Sequence, residues 1–135
     1  MSSPQLRCLT PYFELFSRDD VVHVRRTARP FASHVEVHAA AGRILTALEP
    51  TVRPERMLLD LRRKSAESDR GFEAGLSAHR RSLVQRAEQV AVVTDLDYVR
   101  QSLHALPEGE APRLQIFEDE ASALDWLGVK SSSAA

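Results

Sequence analysis

Two short runs rich in aromatic and β-branched residues, 12–17 (YFELFS) and 21–26 (VVHVRR), flank the polar turn Arg18-Asp19-Asp20 and predict a β-hairpin. After the break at Pro30, Val37, Ala41, Ile44, Leu45 and Leu48 recur at helical spacing. Ser33 stands as N-cap of that helix, with Glu36 three residues on as in a capping box, and Pro50 and Pro54 end it. Residues 56–61 (RMLLDL) read as a buried strand, and 62–69 (RRKSAESD) as a polar loop. A second helix is expected from about 70 to 88, with Phe72, Leu76, Leu83 and Ala87 inward. The continuous apolar run 90–93 (VAVV) predicts a central strand covered on both faces. Asp97 is expected to cap a third helix with Val99, Leu103 and Leu106 inward. A last strand at 114–117 leads into a final helix that opens on Glu118-Asp119-Glu120, buries Ala121, Leu124 and Leu127, and stops at Gly128.

The order β-β-α-β-α-β-α-β-α implies one α/β domain over residues 12–128, built on a single five-stranded, mainly parallel mixed sheet with four helices. Residues 1–11 are expected to be a flexible N-terminus and 129–135 a disordered tail. Composition agrees with one ordinary globular domain: 135 residues, 43% hydrophobic and 27% charged. Cys8 is the single cysteine, so no intrachain disulfide forms, and a cytoplasmic location is expected. No stretch reaches the ~20 apolar residues of a membrane span.

Formal net charge is -1, which gives no global field for nucleic acid or a membrane surface. The charge is unevenly placed. Residues 53–86 hold nine Arg or Lys against five acids, while residues 108–125 hold six acids against one Arg. The basic excess draws attention to the loop 62–71, which joins a strand's carboxyl end to a helix start, where partners gather in open α/β sheets. Arg62, Arg63, Lys64, Ser65, Ser68, Asp69 and Arg70 are the candidate partner-binding residues. Ser65 and Ser68 are candidate phosphorylation sites, where a phosphate would add about -1.5 to -2 charges among these cations. The cations also suit an anionic ligand. The plainer reading is that Ser68 or Asp69 caps the helix.

Catalytic signals are weak. The five glycines are scattered rather than gathered in a phosphate loop, and no G-x-S-x-G elbow is present. His34 and His38 share a helix face, but Val35 follows His34, so HExxH is absent and both are expected to face solvent. His79 is expected to be a hydrogen-bonded, partly buried histidine. Trp126 is expected to pack over a sheet edge. The chain therefore reads as a binding protein, with no enzyme activity, cofactor or metal expected.

Three stretches carry a resemblance: Leu58-Leu59-Asp60-Leu61 before a polar loop, 88–95 (EQVAVVTD), and Ile116-Phe117 followed by 120–127 (EASALDWL). With the element order, they resemble the SpoIIAA-like fold shared by STAS (anti-sigma-factor antagonist) domains and related bacterial proteins, a fold grouped with CRAL-TRIO lipid-binding domains. The resemblance implies a regulatory protein-interaction module. In STAS antagonists an Asp-Ser-Ser-Gly loop carries a phosphorylated serine. Here the corresponding stretch is Ser68-Asp69-Arg70-Gly71, which puts Asp69 at that serine's position. This implies a constantly negative helix start flanked by Arg62 and Arg70. The alternative is a small carrier for a lipid or another apolar molecule, which would require a cavity between sheet and helices.

Overall fold

The computed structural model describes residues 5–48, 55–62, 69–105 and 113–129. The expected α/β architecture is present, and one more strand extends its antiparallel edge. The strands are β1 (Gln5–Thr10), β2 (Phe13–Arg18), β3 (Val21–Arg26), β4 (Arg56–Asp60), β5 (Gln89–Val93) and β6 (Arg113–Phe117). The helices are α1 (His34–Leu48), α2 (Glu73–Val84), α3 (Asp97–His104) and α4 (Glu120–Trp126). The six strands lie side by side in chain order. β1–β2–β3 is an antiparallel meander, and β3 through β6 run parallel. Gln5–Thr10, expected to lie outside the folded domain, pairs along β2 as an edge strand with an irregularity between Arg7 and Thr10.

The β2–β3 turn works without Asn-Gly because Asp19 and Asp20 both take positive φ, 54° and 63°, which short polar side chains tolerate. Strand alternation then sorts the two faces of the sheet. Val24, Met57, Leu59, Val90 and Val92 join the larger core under the three crossover helices. Val21, Leu58, Ala91 and Val93 pack with Ala123 and Leu127 of α4 on the opposite face. The run 90–93 is fully buried and lies between β4 and β6, as its continuous apolar character requires.

The helix ends differ from expectation in instructive ways. Ser33 Oγ accepts from the Glu36 amide at 3.3 Å, but Glu36 reaches the Ala32 amide at 2.9 Å, one residue before the cap, and also receives the Tyr12 hydroxyl. The α2 segment starts with a 3₁₀ turn over residues 69–72, so the α-helix proper begins at Glu73 and no side chain caps it. Asp97 lies inside the first turn of α3 rather than at its cap, and Thr94 Oγ1 accepts the Leu96 amide instead. Asp119 caps α4 through the Ser122 amide at 2.7 Å, and this phase turns Ala123 inward and leaves Ala121 exposed. Gly128 closes α4 at φ 85°, with Gly128 N–H on Asp125 O and Val129 N–H on Leu124 O, the paired bonds of a Schellman motif. Trp126 lies against Phe117 of the edge strand β6, as expected.

Candidate functional site

The carboxyl ends of the parallel strands converge on one rim of the sheet. β3 delivers Arg25 and Arg26 there, β4 delivers Asp60, and α4 presents Asp119 and Glu120 beside them. Alternation sends Arg25 and Arg26 to opposite faces, so the rim carries two separate ion-pair systems.

On the α4 face, Asp60 is almost fully buried and is gripped by Arg62. Arg62 Nε donates to Asp60 Oδ1 at 3.1 Å, Nη2 to Oδ2 at 2.9 Å, and the Arg62 backbone amide adds a bond at 3.2 Å. Arg25 stands 3.6 Å from the same carboxylate and reaches Glu120 at 3.3 Å. Burial works against the Asp60 charge, but the Arg62 bonds and the two guanidinium charges hold its carboxyl below the usual range.

On the helix-covered face lies the stronger arrangement. Arg26 shares this face with Val22 and Val24, and it is 1% exposed. A guanidinium at that depth must be paired and hydrogen-bonded. Arg26 Nε donates to Asp69 Oδ2 at 2.9 Å and Nη2 to Oδ1 at 2.8 Å, a bidentate fork. Nη1 donates to the carbonyls of Tyr12 and Thr27 at 3.2 and 2.9 Å. The rings of Phe31, Phe13 and Tyr12 surround the cation at 4.4, 5.7 and 5.9 Å.

The two systems have one structural consequence. The loop after β4 is held at its entry by Arg62–Asp60 and at its exit by Asp69–Arg26, on opposite faces of the sheet. Among the expected site residues, Arg62 and Arg70 are exposed at the two ends of this loop. Arg63, Lys64, Ser65 and Ser68 lie outside the described residues. Asp69 corrects the expectation of an outward negative helix start: it is 5% exposed, its charge is matched by Arg26, and it does not cap α2. Arg26 is the site residue that sequence reasoning missed. Its period-2 relation to Val22 and Val24 was the available signal, since it places a charge on the core face.

Between the sheet and the three crossover helices lies an apolar pocket lined by Ile44, Leu59, Leu76 and Val99, with Arg26 and Asp69 on its wall. Its interior space is about 50 Å³. That admits a few waters but not an acyl chain.

A second titratable group is buried on the α4 face. His23 is 3% exposed, stacks on Phe16 at 4.5 Å, and its Nδ1 has no partner among the described residues. Burial, opposed by Glu120 and Asp60 and reinforced by Arg25 and Arg18, lowers its pKa from 6.5 to about 4. The folded state therefore binds the proton less well than the unfolded chain, so stability is full above pH 6.5 and falls as pH drops toward 4. The expected loss from this one group is on the order of 3 kcal/mol. Denaturant unfolding at pH 7, 5.5 and 4.5 checks it: His23→Phe, which keeps the stack on Phe16, should flatten the slope. Equal slopes in wild type and variant would remove His23 as the cause.

No described helix is long and apolar enough to cross a membrane. Comparison with known proteins finds no matching family model, no matching curated protein and no matching solved structure.

Proposed function

We propose that this chain is a non-catalytic, STAS-like regulatory module that binds a partner protein through the loop after β4 and the start of α2. The observation that carries the reading is the double clamp, Arg62–Asp60 and Arg26–Asp69, which fixes both ends of one basic loop. A recognition loop whose ends are held in place loses less conformational entropy on binding. The element order β-β-α-β-α-β-α-β-α after β1 supports the SpoIIAA-like reading. Arg70 is exposed at the exit of this loop, and the loop sequence also carries Arg63 and Lys64, so the fitting partner surface is acidic. Asp69 acts in this account as a support for the loop and not as a phosphate substitute. A phosphate on Ser65 or Ser68 would cancel most of the loop's positive charge and weaken such a partner.

The alternative, a carrier for a lipid or apolar molecule in the cytoplasm of a bacterial cell, has only the small apolar pocket in its favour. Native mass spectrometry of the protein taken from its own cell separates the two. The module reading expects the mass of the bare chain, with or without phosphate. A stoichiometric apolar adduct would establish the carrier instead.

A further inference from the structure

Away from the loop, two histidines 41 residues apart in sequence meet where α1 packs on α2. His38 Nδ1 lies 2.8 Å from His79 Nε2, with the ring planes at 74°. We propose that His38 and His79 form a two-imidazole site for a divalent transition-metal ion, with those two nitrogens in adjacent coordination positions.

The geometry favours this. Adjacent ligands on a square-planar or tetragonal ion, each at about 2.0 Å, lie about 2.8 Å apart. The two nitrogens already face each other at that separation, and both side chains would re-aim their lone pairs at a common point to hold the ion. His38 is exposed, and Gly75, one turn before His79, leaves space beside it: even a Cβ there would stay 3.9 Å from His38 Cε1. The exchange balances. The ring that donates in the His–His hydrogen bond gives up that proton as its other nitrogen takes one from solvent, so both imidazoles stay neutral and each facing nitrogen gives a lone pair to the metal.

His34, one turn before His38, is not part of the set, because its ring packs edge-on against Phe72 at 4.8 Å. No group of three His, Cys, Asp or Glu gathers at one place among the described residues. Water therefore completes the shell, and the ion exchanges freely. Imidazole ligands and the order of divalent affinities give copper(II) the tightest binding, above nickel(II) and zinc(II).

The test uses the full chain in chelator-free buffer at pH 7.5, titrated separately with the Cu²⁺, Ni²⁺ and Zn²⁺ salts. One ion per chain is expected, with copper tightest, and the copper EPR spectrum should show coupling to two imidazole nitrogens. His38→Ala and His79→Ala should each weaken binding by at least about tenfold, the scale of losing even a supporting contact around a metal. His34→Ala should leave binding unchanged. If His79→Ala does not fold, His79→Gln serves, because its amide can still bond His38 while the imidazole is gone. Binding that is not saturable, or that survives in both the His38 and His79 variants, overturns the proposal and places the metal elsewhere, with Cys8 the first suspect.

Discussion

Asp69→Asn should destabilise the protein by roughly 3–5 kcal/mol, far more than the ~1 kcal/mol of a lost helix cap. Asn is nearly the same size as Asp, so packing changes little. What changes is the partner of Arg26. Its guanidinium stays 1% exposed, enclosed by three rings, and now faces an amide that can accept with one atom only while its NH₂ opposes a donor. The charge left behind has lost its counter-ion. The melting temperature should fall on the order of 10–20 °C. Arg26→Met should also destabilise, because it strands the Asp69 carboxylate at 5% exposure. The double variant Arg26→Met/Asp69→Leu should recover much of the loss, since it removes both charges at once and leaves apolar volume in their place. Urea unfolding of all four proteins checks this. A cost below 1 kcal/mol for Asp69→Asn would mean that the carboxylate is solvated and the clamp is not closed.

Val92→Asp should be as severe, for a different reason. Val92 lies in β5 between two parallel neighbours, fully buried under the crossover helices, with Leu59 and Ile116 as its register partners. These register partners are apolar, whereas Asp69 has the Arg26 guanidinium. The substitution removes a packed side chain and puts an unpaired carboxylate in its place. A loss on the order of 3–5 kcal/mol consumes most of the stability of a domain this size. The expected outcome is insoluble or unfolded protein at 25 °C by circular dichroism. A soluble variant with unchanged melting temperature would contradict the placement of this strand.

These two positions also show what the sequence could reveal. The strand 90–93 was legible because local pattern and burial coincide: a continuous β-branched run has few other places to go. The strand Gln5–Thr10 was not legible, since as an edge strand it is held by cross-strand hydrogen bonds to β2 and not by an apolar run of its own. Asp69 was noticed for the wrong reason. A helix cap and a buried ion pair call for the same residue type, and only the partner, Arg26, distinguishes them from 43 residues away. The His38–His79 contact is equally nonlocal. Each histidine was assigned correctly to a helix, but the packing of α1 on α2 brings them together. The α4 face shifted because Asp119, not Glu118 or Glu120, starts the helix, and a small shift of start exchanges Ala121 for Ala123 on the buried side.

Binding of an acidic partner by the basic loop makes partner recovery depend on the loop's charge. The protein and its Arg63→Glu/Lys64→Glu variant would be used as bait in extract of the native cell, with the captured proteins read by mass spectrometry and both melting temperatures measured. One partner protein should be recovered by wild type and lost by the variant, with the melting temperatures equal, because the clamps at Asp60 and Asp69 are untouched. A partner retained equally by the variant, or no partner with either bait, would contradict it.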